Sequence, residues 1–409
     1  MIRSWPGAPT GRLWSMPVFN VLTLNNIAKI GLSRLPASSY QIGNDVKDPD
    51  LVLLRSANMH SGDIPKTLKA VGRAGAGVNN IPIPKMTTRG IPVFNTPGAN
   101  ANAVKELVIA GLILACRQIC EGWDFARNLE GSDDELSKAV EAQKKTFAGY
   151  ELPGRTLGVI GLGAIGRLVA NTAVSLGMNV VGFDPGLTVE GAWQLSSSVK
   201  KARSLEEVFR AADFVSVHVP LSDATKKLVN TERLALMKKG TVILNFAREG
   251  IVDEQAVVDA IDAGRLHAYI SDFPTNLTKN HRRCITLPHL GASTEEAEEN
   301  CAIMVVDQVR DFLENGNIRN AVNFPEVVVP RSTEHRLVCA NANVPNMLGQ
   351  ISEVFGQAGL NIHDMVNSSR GEVAYTVVDL DAAVPADVLK KVSGIKGVLM
   401  ARLIPAPRS

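Results

Sequence analysis

The most constraining feature of the sequence is a β-strand pattern that runs into three spaced glycines and then into a helix pattern. Residues Thr156 to Ile160 are mostly apolar and precede Gly161, Gly163 and Gly166. In this spacing the first glycine permits a tight turn, the second lets the backbone approach a pyrophosphate, and the third lets the helix pack on the strand. The free N–H groups at the helix start would then face phosphate oxygens. The pattern predicts a dinucleotide-binding βαβ unit.

The residue that selects the nucleotide is predicted to be Asp184, at the end of the next strand pattern and 23 residues after Gly161. A carboxylate there accepts hydrogen bonds from ribose hydroxyls and repels a 2′-phosphate. The following Pro185, Gly186 and Leu187 supply no cation. The cofactor is therefore predicted to be NAD and not NADP. A purely structural aspartate at the strand end is the alternative.

Alternating strand and helix patterns predict two doubly wound parallel sheets, an α/β fold class. The first series has strands near 18–24, 50–54, 70–73 and 91–94, and the second near 156–160, 179–183, 214–219, 241–246 and 268–271. Residues 335–404 follow a strand, helix, strand, strand, helix, strand order, which predicts a ferredoxin-like domain. A buried helix is predicted over 102–117, a loop or arm over 133–149, and a helix over 293–315 that returns the chain to the first domain.

The predicted domains follow from these patterns. Residues 1–16 are predicted to be a disordered tail, 17–112 with 297–325 a discontinuous flavodoxin-like domain, 113–296 a Rossmann NAD-binding domain, 326–334 a linker, and 335–409 a C-terminal domain. Chains of 409 residues ordinarily divide in this way.

Composition excludes several classes of partner. The net charge of +2 gives no field that would recruit nucleic acid or a membrane surface. The densest apolar run, Leu107 to Cys116, is about half of what a membrane span needs. Five cysteines without ligand-like spacing predict reduced thiols, no metal site and a cytoplasmic location.

Three further segments carry a family resemblance. Leu244 to Glu254 includes Arg248, Pro288 to Thr294 includes His289, and Val215 to Pro220 includes His218. With the glycine turn, these segments resemble the D-isomer-specific 2-hydroxyacid dehydrogenases. From about residue 18 to the end, the chain is most similar to the phosphoglycerate dehydrogenases of that family that carry a C-terminal ACT domain.

The resemblance implies roles for particular residues. Arg248 would hold the substrate carboxylate and polarise the carbonyl, and His289 would exchange the hydroxyl proton. Asn276 stands where most relatives have a glutamate that orients this histidine; it could still orient His289, and Glu295 or Glu296 could replace the missing acid. The implied cofactor contacts are Gly161, Gly163, Ala164, Ile165, Gly166, Asp184, His218, Pro220, Ala247, Arg248, Asp272, His289 and Gly291.

The resemblance also implies residues for the substrate and for an effector. It implies that the discontinuous domain binds the substrate and that residues 335–409 are a regulatory domain. Substrate contacts would be Arg55, Ala76, Gly77, Asn100, Arg248, His289, and Lys144 and Lys145 reaching in from a neighbouring subunit. Serine or another amino acid would bind the ACT domain at Asn341, Asn343 and Asn361, although Asn341 and Asn346 replace a common His and a common Gly. A dimerisation module without a ligand is the alternative.

The function implied by the resemblance is NAD-dependent oxidation of 3-phosphoglycerate at the entry to serine synthesis, by a homodimer or homotetramer under allosteric control. Two alternatives stay open. One is a glyoxylate, hydroxypyruvate or other 2-hydroxyacid reductase. The other is a non-catalytic interaction protein that senses NAD or an amino acid.

Overall fold

A computed structural model describes residues 18–406, so the predicted tail over 1–16 lies outside the described residues. Contacts divide the chain into two compact units. The second unit is Gly98–Glu298, and the first unit consists of the residues on either side of it. No helix within 18–406 is both long and apolar enough to cross a bilayer.

The first unit begins with a five-stranded parallel sheet in the order β2-β1-β3-β4-β5. This is the flavodoxin-like order, as predicted. Its central strand reads Leu-Val-Leu-Leu and is buried on both faces, which a parallel sheet between helices requires. The elements are β1 (Phe19–Leu24), α1 (Lys29–Leu32), β2 (Tyr40–Gly43), β3 (Leu51–Leu54), β4 (Ala70–Arg73), α2 (Ile83–Thr88) and β5 (Val93–Phe94).

The second unit contains a seven-stranded parallel sheet in the order β12-β11-β10-β9-β6-β7-β8, a Rossmann arrangement extended by one strand. Its elements are α3 (Ala101–Arg117), α4 (Ile119–Arg127), α5 (Asp133–Gln143), a 3₁₀ turn (Lys144–Phe147), β6 (Thr156–Ile160), α6 (Ala164–Ser175), β7 (Asn179–Phe183), α7 (Val189–Trp193), β8 (Val199–Lys201), α8 (Leu205–Ala211), β9 (Phe214–Val217), α9 (Thr231–Leu234), β10 (Thr241–Asn245), α10 (Glu254–Asp262), β11 (Leu266–Ser271) and β12 (Cys284–Thr286).

Helix α3 belongs to this second unit, so the unit begins at Gly98 and not at the predicted residue 113. Val104, Val108 and Leu112 on α3 pack into the same apolar core as Leu157 and Val159 on β6. The helix therefore buries its apolar side against the nucleotide-binding sheet.

The predicted loop over 133–149 is largely helical. Ser132 and Glu135 form a capping box, in which the Glu135 carboxylate accepts the Ser132 backbone N–H at 2.8 Å. Helix α5 follows and has no buried residue. The polar composition that suggested a loop is therefore that of an exposed helix.

The chain returns to the first unit through α11 (Glu295–Asn315), which packs closely on β4. A Cβ on Gly72 would lie 2.8 Å from a Val305 methyl group and 3.0 Å from a Val309 methyl group. Glycine at this position in β4 is what allows the helix to approach the sheet.

The C-terminal segment forms an antiparallel sheet in the order β14-β15-β13-β16 with two helices, the predicted ferredoxin-like arrangement. Its elements are β13 (His335–Ala342), α12 (Met347–Gln357), β14 (Ile362–Arg370), β15 (Val373–Leu380), α13 (Ala386–Ser393) and β16 (Val398–Ile404). Leu337, Cys339 and Val378 face the helices in one apolar core.

The other face of this sheet packs on the rest of the first unit. Tyr375 donates its hydroxyl to the Gly316 carbonyl at 2.8 Å, and Arg370 donates to the Ala321 carbonyl at 3.1 Å. A Cβ on Gly316 would lie 2.5 Å from a Val338 methyl group. The second face of the C-terminal sheet is thus contacted by the same chain at β13 and β15, whereas β14 has no buried residue.

The predicted linker over 326–334 is a packed segment. Val327 and Ile318 exchange backbone hydrogen bonds at 2.8 and 2.9 Å, and Val327 and Val329 are buried. The Arg331 side chain donates to the Pro405 carbonyl at 2.6 Å. The prolines at 325 and 330 mark a packed connection and not a free tether.

Candidate active site

The glycine turn has the geometry that its spacing predicts. Gly161 has φ +88°, and a Cβ there would lie 2.6 Å from the His218 carbonyl oxygen. A Cβ on Gly166 would lie 1.9 Å from the Gly161 carbonyl oxygen. Only glycine fits either position.

Gly163 differs from the two other glycines. A Cβ there would meet nothing within 4 Å, and Gly163 is the N-cap of α6. Open space therefore adjoins the free N–H groups that begin the helix, next to Ala164 and Ile165. These residues fit the pyrophosphate of a dinucleotide.

Asp184 follows β7 and already holds the turn. Its Oδ2 accepts the Leu162 backbone N–H at 2.8 Å, and its Oδ1 accepts the Gly186 backbone N–H at 2.8 Å. Each carboxylate oxygen retains a further acceptor position. Asp184 is thus a positioning residue for the glycine turn, in addition to its predicted role as a ribose contact.

His218 lies just after β9, beside Gly161 at the point where the strand order reverses. Its Nε2 lies 2.8 Å from Ser216 Oγ, and its shielded Nδ1 has no hydrogen-bond partner among the described residues. Burial lowers the pKa of His218 to about 4. The ring is therefore neutral near pH 7.

The loop that carries Arg248 is fixed by Asn245, a residue that sequence reasoning did not single out. Asn245 is buried at the end of β10. Its amide accepts the Ala247 N–H at 3.2 Å and donates to the Arg248 carbonyl at 3.0 Å. The exposed Arg248 guanidinium donates to the Ala247 carbonyl at 2.6 Å.

The loop that carries His289 is fixed in the same way by Asp272. The Asp272 carboxylate is 1% exposed and accepts the backbone N–H groups of Leu290 at 2.7 Å and Gly291 at 2.8 Å. His289 itself has φ +55°, a left-handed conformation that a non-glycine residue rarely adopts. The sequence predicted Asp272 as a cofactor contact, and the structure adds the positioning role.

The Arg248 loop follows β10 and the His289 loop follows β12, and both lie at the carboxyl-terminal end of the sheet. Asp272, at the end of the intervening strand β11, contacts residues on both sides. Asn245 pairs with Ser271 in the register of β10 and β11, and Asp272 N–H donates to the Asn245 carbonyl at 3.2 Å. Carboxyl ends of parallel strands are where α/β sheets bind ligands. Arg248 and His289 are therefore both presented at the carboxyl-terminal end of one sheet, from strands on either side of β11.

The expected contact between Asn276 and His289 is not formed. Asn276 is exposed, and within residues 18–406 no hydrogen bond joins its amide to the His289 ring. That ring instead meets the Phe273 ring edge-on, with centroids 5.2 Å apart. No ion pair joins His289 to Glu295 or Glu296 in this described part of the chain.

The loop around Asn276 is held by a neighbouring carboxylate. Thr275 donates its hydroxyl to Glu254 at 2.7 Å and shares a hydrogen bond with Thr278 at 3.0 Å. Burial raises the pKa of Glu254, while the bond from Thr275 acts against that rise. Neither Glu254 nor Thr275 was identified from the sequence.

Three predicted substrate contacts lie in the first unit, where the strands of its parallel sheet end. Arg55 follows β3, and the turn with Ala76 and Gly77 follows β4. Arg73, which sequence reasoning missed, donates Nε to the Arg55 carbonyl at 2.9 Å. Two guanidinium groups therefore accompany adjacent strand ends.

The other predicted substrate contacts lie in the second unit. Asn100 immediately precedes α3. Lys144 forms an ion pair with Glu141, and Lys145 is exposed on the same 3₁₀ turn.

The three predicted effector residues do not converge within one chain. Asn341 is buried near the end of β13, and Asn343 donates to the Gly371 carbonyl at 3.0 Å. Asn361 precedes β14, whose first residue is level with the start of β13. Strand geometry puts about 20 Å between these two ends. Asn361 could join the other two only through another copy of the domain.

The chain is similar in sequence to known proteins. Residues 119–291 match the model of the D-isomer specific 2-hydroxyacid dehydrogenase NAD binding domain. The chain is 33% identical over 378 residues to a D-3-phosphoglycerate dehydrogenase of Haemophilus influenzae, covering 88% of this chain and 87% of that protein. A protein of the same name from Methanocaldococcus jannaschii is 37% identical over 291 residues, which are 69% of this chain and 53% of that protein.

A solved structure also resembles the chain. The NAD⁺-bound 3-phosphoglycerate dehydrogenase of Entamoeba histolytica superposes with a TM-score of 0.59 at 27% identity. The match covers 75% of this chain and 99% of that one.

Proposed function

The chain belongs to the D-isomer specific 2-hydroxyacid dehydrogenases and is an NAD-dependent enzyme, and from that premise we propose that it oxidises 3-phospho-D-glycerate to 3-phosphohydroxypyruvate, the first step of L-serine synthesis. The observation that carries the proposal is the pair of loops at the carboxyl-terminal end of one sheet, which present Arg248 and His289 and are linked through Asp272 at the end of β11. Bound NAD supplies the acceptor for the hydride that leaves C2 of the substrate.

The protein residues have separate tasks in this proposal. Arg248 binds the carboxylate with its planar fork and polarises the oxygen on C2. His289 accepts the hydroxyl proton as the C2–H bond breaks, so that the alcohol loses a hydride and a proton and becomes a ketone. Asn245 and Asp272 hold the two loops, which lowers the entropy cost of orienting these groups.

Phosphate recognition is the finer part of the proposal. A phosphate dianion needs cationic partners, and guanidinium groups provide the best matched fork. Arg55 and Arg73 at neighbouring strand ends of the first unit support this assignment. The relatives named D-3-phosphoglycerate dehydrogenase support it independently.

The test follows NADH formation and compares the oxidation rates of 3-phosphoglycerate and D-glycerate, two substrates that differ only in the phosphate. We expect kcat/KM to be roughly a hundredfold higher for the phosphorylated substrate. Arg55→Met should remove most of that preference, whereas Lys66→Met, at an exposed lysine of the same unit, should not. Equal rates would favour a reductase of glyoxylate or hydroxypyruvate, and NAD binding without any turnover would favour the interaction protein.

The catalytic assignment has its own variants. His289→Asn keeps a side chain that tolerates the left-handed backbone. It should lower kcat by a factor of about a hundred or more, while the dissociation constant of NADH changes little. A variant with normal turnover would contradict the role of His289.

Regulation, assembly and the cytoplasmic location complete the proposal. The Asn341 Oδ1 is buried without a partner among the described residues, which supports a polar effector at the end of β13. Helices α4 and α5 have no buried residues, and Trp123 is 62% exposed, which supports a covering subunit there. Serine should slow turnover by the wild type more than turnover by Asn341→Ala, and equal inhibition would contradict the effector site.

Sedimentation should show a dimer or a tetramer, and a monomer would contradict the covering subunit.

A further inference from the structure

A cation that the sequence reading overlooked lies beside the glycine turn. Arg167 is in the first turns of α6, and its Nη1 donates to the Leu162 carbonyl at 3.2 Å. A Cβ on Gly191 would lie 3.1 Å from the same Nη1 and 3.0 Å from a Leu187 methyl group. The guanidinium therefore lies between the glycine turn and the segment that follows β7.

Arg167 and Asp184 bind the backbone of one residue, Leu162, on its two sides. The Asp184 carboxylate accepts the Leu162 N–H, and the Arg167 guanidinium donates to the Leu162 carbonyl. A negative and a positive group thus flank the place where the adenosine ribose is expected. Within residues 18–406, Arg167 forms no ion pair, and its single hydrogen bond uses one of five N–H donors.

We propose that Arg167 is a latent binding group for a ribose 2′-phosphate and that the Asp184 carboxylate alone excludes NADP. In the native protein the carboxylate repels the phosphate dianion before the guanidinium can bind it. Without that charge, the unused donors of Arg167 face a ligand whose oxygens match the guanidinium fork. The inference rests on the nucleotide site and not on the proposed substrate, so it stands if 3-phosphoglycerate is not turned over.

Other charged residues lie near this segment. Glu190 begins α7, is exposed and accepts a hydrogen bond from Gln194 at 3.2 Å. Lys200 and Lys201 are exposed on β8 at the edge of the sheet. Neither lysine contacts the Leu162 peptide, which leaves Arg167 as the cation adjoining the turn among the described residues.

The test measures dissociation constants of NADH and NADPH for the full chain, with no turnover required. The wild type should bind NADH more tightly. Asp184→Asn removes the charge and keeps one acceptor oxygen for a backbone N–H. Its ratio of NADPH to NADH affinity should rise roughly tenfold or more, the scale of a charge-assisted hydrogen bond.

The double variant Asp184→Asn/Arg167→Gln decides the role of Arg167. It should lose most of the gain in NADPH affinity, and Asp184→Asn/Arg167→Lys should keep part of it because charge remains without the fork. Circular dichroism confirms folding of each variant. The inference is overturned if Asp184→Asn gains no NADPH affinity, or if the gain persists unchanged when Arg167 is glutamine.

Discussion

Two aspartates, Asp272 in the second unit and Asp379 in the first, are each only 1% exposed, yet their surroundings differ completely. Asp272 accepts two backbone N–H groups from the His289 loop. Asp379 accepts the Arg336 guanidinium at 2.6 and 2.8 Å, together with the Ser332 N–H and hydroxyl. The first carboxylate shapes a loop, and the second neutralises a buried cation.

The comparison shows that the role of a buried charge is indicated by its hydrogen-bond partners more than by its burial. No ion pair with Asp272 occurs among the described residues, so only amide dipoles compensate its charge. This arrangement keeps His289 in a left-handed conformation that carries strain. Strain held in place by a buried network is typical of functional sites.

The ion pair of Asp379 and Arg336 lies where the C-terminal sheet meets the end of α11. Arg336 also donates to the Asn315 carbonyl at 3.0 Å and the Val329 carbonyl at 3.1 Å. Arg402 donates to the carbonyls of Phe312 and Leu313. The last carbonyls of a helix lack intrahelical partners and attract cations. The C-terminal sheet therefore docks on the end of α11.

The largest effect is expected from breaking the structural pair. Arg336→Met leaves the Asp379 charge buried without its cation and should cost about 3–5 kcal/mol of unfolding free energy. The control is Arg34→Met, because Arg34 binds Asp307 with the same two-bond geometry, at 2.6 and 2.9 Å, on an exposed surface. Urea unfolding should show a far smaller change for the control. Similar losses of unfolding free energy in the two variants would refute the claim that burial makes the Arg336–Asp379 pair more important than the exposed Arg34–Asp307 pair.

The next effect concerns the loop-shaping carboxylate. Asp272→Asn keeps one acceptor oxygen, so one of the two backbone N–H groups loses its partner at a cost of about 1–3 kcal/mol. Displacement of His289 by about 1 Å should lower kcat roughly a hundredfold. The dissociation constant of NADH should change far less. If kcat and NADH affinity fell together, Asp272 would be a cofactor contact more than a positioning residue.

A third prediction uses acid. Burial by itself raises the pKa of the Asp379 carboxyl, but the hydrogen bonds from Arg336 and Ser332 outweigh it and lower the pKa from its ordinary 3.8 to about 2. A carboxyl with a depressed folded pKa stabilises the fold above its unfolded pKa and loses that contribution as pH falls toward the folded value. Roughly 2 kcal/mol should disappear between about pH 4 and pH 2.

The measurement is urea unfolding of the wild type and of Asp379→Asn over that range. The wild type should lose its advantage as the carboxyl takes up a proton, so the two free energies of unfolding should approach each other. An advantage that is constant from pH 4 to pH 2 would mean that the Asp379 carboxyl is not depressed.

The sequence predicted what depends on local patterns. The strand, glycine turn and helix from Thr156 to Ser175 were predicted within a residue or two, because periodicity and glycine spacing are local. The strands β2, β8 and β12 were missed, since strands of only three or four residues do not show a recognisable apolar run. The capping box at Ser132 was a local signal that was overlooked.

The rest depends on contacts that no local pattern reveals. Asp272 acts on residues 18 and 19 positions away, and Arg336 pairs with Asp379 43 positions away. Asn245 and Arg167 act on backbone groups whose positions are set only once the sheet is assembled. The residue types at the site were predictable, and their mutual support was not.

The smallest effect concerns the missing glutamate. Asn276→Glu would place a carboxylate in the loop that precedes His289, where it can stabilise the protonated imidazole. Because oxidation needs a neutral imidazole as proton acceptor, the acid limb of the pH–rate profile should move to higher pH by about one unit or less. Asn276→Gln, which adds the same length without charge, should leave the profile in place. Coinciding pH–rate profiles for the Glu and Gln variants would mean that position 276 does not help to orient the His289 loop. The buried Asp272 carboxylate, unlike the ion-paired Asp379, would then be the group that fixes the geometry of that loop.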